Sequence, residues 1–181
     1  MKKRIAILLV FVMACSLAMA AGSAEPLVMT WEDVKEQAEQ LGGEIIQIKD
    51  PSCSIWVPGA FEIKVPEKGD SDPSFRLIAK DEAFSGIEIS VSRVQSEAYH
   101  NAKEDIMGKI LPYAPDLKDC TLNGYPAIIY SRQVSDDDFR AYALIWDEAY
   151  PVSIAAFSEK PIENEEFTKL FETMSASYRP E

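Results

Sequence analysis

Few residues in this chain have the type and spacing for chemistry. Its single histidine is His100, within EAYHNAKED. A hydrolytic triad needs that imidazole between a nucleophile and an acid, yet no serine sits in a G-x-S-x-G elbow. A thiol nucleophile would have to be Cys53 or Cys120 brought beside His100. Both lie in or beside strand-like segments, and no C-x-x-C occurs. The reading is a solvated helix histidine and two cysteines that either bond to each other or pack as free thiols. One histidine and no ligand-spaced cluster argue against a zinc site. Calcium has two candidate loops, Asp70 with Asp72 and Asp136-Asp137-Asp138, but takes about six to eight oxygen ligands. Neither loop has the EF-hand glycine and distal glutamate, and aspartates favour turns for local reasons. With 30 acidic residues, a carboxylate pair for sugar hydrolysis is neither indicated nor removed. No catalytic residue, metal or cofactor is assigned. Among the aromatics Trp56, Trp146, Tyr142 and Tyr150, Trp56 is the candidate partner anchor. It alternates out of phase with Ile55 and Val57 and precedes Pro58, so it either faces a partner or lies under a helix.

The start of the chain bears on destination. Met1-Lys2-Lys3-Arg4 is basic, Ile5 to Val12 is unbroken apolar, and no further charge appears until Glu25. That is the pattern of a secretory signal. Its apolar part is too short and its far edge too small-residued for a membrane span. Residues 1–20 are therefore expected to be a signal peptide. The cut falls near Ala20/Ala21, after Ala18-Met19-Ala20, or as late as Ala24. Val12-Met13-Ala14-Cys15 resembles a lipidation site, which would make Cys15 a membrane anchor. Met13 is bulky for that slot, and Leu17 and Met19 keep the following stretch apolar, so ordinary cleavage is favoured. The mature chain then touches a membrane only if Cys15 is lipidated. The expected location is secreted or extracytoplasmic, in the cell envelope.

Removing the signal takes three of the 18 basic residues and none of the 30 acidic ones, moving the net charge from −12 to −15. Such acidity argues against nucleic acid, whose binders carry a basic footprint; it either points to a basic or cationic partner or, on the favoured reading, serves solubility. The partner is an unnamed protein or small molecule. Residues 25–181 suit one domain with its own core.

Periodicity supplies the elements. TWEDVKEQAEQLG (30–42) predicts a helix capped by Thr30 and stopped by Gly42-Gly43. From Ile45 to Val94 the period drops to two: Ile55/Val57, Phe61/Ile63/Val65, Phe75/Leu77/Ala79 and Ile87/Ile89/Val91 alternate with wetter residues. Ser96 opens a second helix through Tyr99, Ala102, Ile106 and Ile110, stopped by Pro112. Strands resume at Leu117, turn at Asn123-Gly124, turn again at Asp136-Asp137-Asp138, and join at Asp147-Glu148. Ala141, Ala143 and Ile145 share one apolar face and Tyr142, Leu144 and Trp146 the other, as in a sheet covered on both sides. A third helix starts at Asn164 and presents Phe167, Leu170, Phe171, Met174 and Tyr178. The short connections predict a mainly antiparallel sheet covered by three helices, an α+β sandwich.

Four stretches in that order, SIWVPGAFEIKVP, GIEISVSRV, LNGYPAIIYSR and YALIWDEAYPVSIAAF before MSASYRP, give a pattern that resembles the PsbP-like fold family. The resemblance spans about residues 50–180 and rests on no motif. It implies a fold that hosts mostly non-enzymatic roles and supplies no site residue. The expected function is an exported, non-catalytic binding or accessory domain of the bacterial envelope. The alternatives are a carrier of a small apolar ligand in a sheet–helix cavity, and a hydrolase using acids alone. Intact mass of the exported protein should place its N-terminus near Ala21; an acylated N-terminal Cys15 would overturn that expectation.

Overall fold

The computed structural model describes residues 26–64, 75–100, 103–162 and 165–181. The expected signal peptide with Cys15, the Asp70–Asp72 loop, Val65 and the expected Asn164 cap lie outside the described residues. Helix α1 (Trp31–Leu41) begins where expected. The Thr30 amide and hydroxyl both donate to Asp33 Oδ2, at 2.8 and 2.7 Å, and these bonds hold the Asp33 carboxyl below its ordinary pKa. Trp31 and Ala38 are buried on its inner face. Gly42 and Gly43 end it at φ 67° and 136°, which L-residues rarely adopt.

Among the described residues eleven strands follow one another: β1 (Leu27–Met29), β2 (Gly43–Ile48), β3 (Cys53–Pro58), β4 (Phe61–Ile63), β5 (Phe75–Ala79), β6 (Glu88–Arg93), β7 (Lys118–Leu122), β8 (Tyr125–Ser135), β9 (Asp138–Ile145), β10 (Val152–Ser158) and β11 (Arg179–Pro180). Eight form one sheet in the order β1-β7-β8-β9-β10-β6-β5-β4; the order β11-β3-β2 forms a second. All pairings are antiparallel except β1 with β7. The β7–β8 hairpin turns at Asn123 and Gly124, both at positive φ (49° and 91°), the conformation an Asn-Gly pair favours.

The large sheet is covered on both faces. Helices α1 and α3 (Glu165–Ala176) and the small sheet pack on one, joining Ile89, Val91, Ala143, Ile145 and Ile154 to Phe167, Leu170, Phe171, Met174 and Tyr178. Helix α2 (Lys103–Ile110) covers part of the other, where Ile106 meets Ile128, Tyr130 and Leu144. The two-faced strand β9 divides as its alternation requires: Ala141, Ala143 and Ile145 enter the first cluster, Tyr142, Leu144 and Trp146 the second. A run of rings ties β4 to α3: Phe61 against Phe84 (5.8 Å), Phe84 against Phe167 (6.4 Å), Phe167 against Phe171 (5.7 Å). Each large apolar side chain buried this way contributes roughly 2–3 kcal/mol. Among the described residues no helix is long and apolar enough to cross a membrane.

Two features depart from the periodicity. The helix expected from Ser96 to Pro112 divides into a 3-10 turn (Glu97–Tyr99) and α2. The Ser96 side chain makes no capping bond. The 3-10 turn is held instead by the β9–β10 connection, where Tyr150 donates to Glu97 (2.8 Å) and stacks on His100 (4.6 Å). The second sheet also escapes the periodicity, since β11, which completes it, is too short for a period to show.

Gly43 gives the sharpest test of this packing. A Cβ there would lie 2.3 Å from the Val57 carbonyl oxygen and 2.9 Å from Trp56 Nε1. Gly108, inside α2, has nothing within 4 Å of such a Cβ. Gly43→Ala is expected to lose about 2 kcal/mol or more, and Gly108→Ala to gain about 0.5–1 kcal/mol, in urea unfolding. Equal effects would contradict the packing described.

Candidate functional site

The structure disperses the reactive residues. His100 is exposed, against the Tyr150 ring. Cys53 and Cys120 are free thiols with no exposure. Cys53 sits in the small sheet and Cys120 in the large one, so the disulfide alternative gives way to packed thiols. Burial pushes both pKa values up to about 12, the reverse of what a nucleophile needs. At the 136–138 turn, Asp137 accepts from Ser135 (2.9 Å) and Asp138 binds Arg140 (2.7 and 2.6 Å). Among the described residues no group of three metal-ligating side chains converges.

Trp56 is not a surface anchor. It is 3 % exposed, and β3 lies between β11 and β2 beneath α1 and α3. The Trp56 amide donates to Ser177 Oγ (2.8 Å), tying the strand to the end of α3. Alternation placed it opposite Ile55, but both faces of this short strand are covered. Trp146 packs in the second cluster, and its indole N–H has no acceptor among the described residues.

A strongly buried charge, Asp147 with its side chain 2 % exposed, belongs to a structural clamp. Arg93 continues the buried phase of Ile89 and Val91. Its guanidinium donates twice to Asp147 (2.8 and 3.0 Å) and once to the Tyr150 carbonyl (2.8 Å). The Tyr178 hydroxyl donates to Asp147 Oδ2, which it shares with Arg93, at 2.5 Å. Burial alone would raise the Asp147 pKa, but the bonds from Arg93 and Tyr178 hold it below its ordinary value. Burial, then the bond to Asp147, raises that of Tyr178. The Asp147 carboxylate is thus met on both oxygens.

The cavities separate the remaining readings. One of about 120 Å³ lies between α3 and the sheet, floored by Ile129, Phe167 and Phe171. Ligand pockets run to about 300–1,000 Å³, so it holds no carrier-sized ligand. Its two carboxylates are engaged, Asp116 accepting from Ser131 (2.8 Å) and Glu172 from Lys118 (2.7 Å). A trough of about 400 Å³ runs open between the edges of β2 and β4.

The third, a groove of about 210 Å³, has the composition of a recognition surface. Ala98, Tyr99, Ile106, Lys109, Ile110, Tyr113, Tyr130 and Arg132 line it. Its outer wall comes from the end of α2. The amides of Tyr113 and Ala114 both donate to the Ile110 carbonyl (2.8 and 3.1 Å), and buried Ala114 pins the turn inward. Tyr113 is thereby turned out, 73 % exposed, beside Leu111 at 49 %. Tyr130 stacks on its cross-strand neighbour Tyr142 (4.9 Å), with the Arg132 guanidinium 5.5 Å from that ring. Exposed tyrosine beside arginine is typical of binding hot spots. The sequence signal for Tyr113 is an aromatic just past a helix-stopping proline; for Arg93 it is a charge in an apolar phase.

No protein-family model matches the sequence, and no curated protein does either. Solved structures do resemble it. The Ran-binding protein Mog1p of Saccharomyces cerevisiae aligns at TM-score 0.52 and 10 % identity, covering 77 % of this chain and 95 % of that one. The PsbP protein CyanoP of Synechocystis sp. PCC 6803 aligns at 0.50 and 12 %, covering 78 % and 94 %. The chain thus has the PsbP/Mog1 fold, as its strand and helix order implied.

The clamp sets a pH dependence. A depressed folded pKa gives stability that is full above the ordinary value of 3.8 and lost as pH falls through the folded value. Asp147→Ala should cost about 3 kcal/mol near neutrality and flatten the loss of stability below about pH 4, measured by thermal melts across pH. An unchanged acid limb would refute the clamp's role.

Proposed function

We propose that this chain is an exported, non-catalytic binding module of the bacterial envelope, and that it engages a protein partner through the tyrosine groove. The observation that carries this reading is Tyr113, a large side chain held outward by a pinned turn beside a ready-made groove. Catalysis finds no support: the thiols are sealed, and His100 is stacked on a tyrosine. The protein-binding role named for Mog1p supports the same class of function on this fold. Export rests on the basic, then apolar, then small-residue start of the chain.

The test is a photo-crosslinking amino acid placed at position 113 of the full chain in its native host. A specific adduct is expected, lost when Leu111→Ser is added. Adducts no more abundant at 113 than at a control such as Gln133, also exposed, would overturn the reading.

A further inference from the structure

The groove carries information about its occupant in its charge. The chain holds 30 acidic residues against 18 basic, yet the groove lining contains Lys109 and Arg132 and no acidic residue. The surrounding cations are neutralised: Asp138 binds Arg140, and Asp119 binds Lys103. Among the described residues neither Lys109 nor Arg132 makes an ion pair. Arg132 lies near enough to Asp138 to help lower its pKa, but no carboxylate is bound to either cation, so in this acidic chain the apolar slot is flanked by two cations open to an incoming carboxylate. Opposite charge there favours association, and like charge beside it is rejected.

We infer that the groove recognises a partner segment carrying an aromatic or branched apolar side chain next to one or more carboxylates. The apolar side chain enters between Tyr99, Ile110 and Tyr113. The volume of about 210 Å³ suits one large side chain, not a helix. The carboxylates lie toward Lys109 and Arg132. Arg132 is positioned for this by Tyr142, over which its guanidinium sits, leaving its outer edge available for a paired hydrogen bond to a carboxylate. The other strongly exposed apolar sites, Val28 and Ile45, lie on β1 and β2 away from this slot and lack the paired cations. The wider field of the molecule repels an acidic partner, so association should be slow at low salt, while the contact itself weakens at high salt.

This inference rests on the binding reading above, and the experiment separates the two. The probes are two fluorescent synthetic peptides with the same central phenylalanine, one flanked by glutamates and one by lysines. They are titrated against the full chain by anisotropy. The glutamate peptide should bind about tenfold more tightly. Lys109→Glu with Arg132→Glu should reverse that order, and Tyr113→Ser should weaken both peptides. Equal affinities, or a preference for the lysine peptide, together with weakening by Tyr113→Ser, would overturn the charge inference and leave the groove standing. Failure of both peptides to bind, or binding that Tyr113→Ser leaves unchanged, would overturn the groove with it. Leu111, Tyr113 and Arg132 are solvent-exposed, so these variants keep the fold, which circular dichroism would verify.

Discussion

The buried pair of Arg93 and Asp147 is the constraint on which the layers depend. It joins three distant parts of the chain: the end of β6, the β9–β10 connection and the stretch after α3. Asp147 is almost sealed, its side chain 2 % exposed. A carboxylate there is tolerable only with its charge met and its lone pairs filled. Arg93 meets the charge in a two-point bond, and Tyr178 fills what is left. Tyr178 in turn sits at zero exposure, edge-on to Tyr125 at 6.2 Å, with its carbonyl accepting from Asn123 (3.1 Å). The same side chains thus fix the β7–β8 turn, close α3 and aim β11 toward β3.

That clamp also explains why the interior is chemically quiet. Buried charge often marks catalysis, but catalysis needs a group left short of a partner and open to substrate. Here the buried acid is locked to a cation and the thiols are packed. What remains available to another molecule lies at the periphery. The turn after α2 is pinned by Ala114 from beneath, so the aromatic beside it has nowhere to go but outward. Interior order and the proposed recognition surface therefore rest on the same packing.

Much of the fold was legible because local signals agreed with the global answer. Thr30 capped α1, Asn123-Gly124 made the hairpin, and β9 carried an apolar face for each layer. Trp56 misled because alternation assigns a face without saying what covers it. The small sheet escaped because β11 is two residues long and owes its place to Ser177 and Tyr178. Arg93 stood in the buried phase in plain view, but its partner lies 54 residues away, a distance no period spans. The groove was illegible for the same reason: Tyr99 and Tyr113 meet Tyr130 and Arg132 only once α2 lies on β8.

The most direct measurement is chemical-shift mapping of the full chain with its crosslinked partner segment supplied as a peptide. The account requires perturbations centred on Tyr99, Lys109, Tyr113 and Arg132, with Arg93, Asp147 and Tyr178 unmoved. Shifts centred on the Asp147 clamp, with the α2 turn silent, would contradict it.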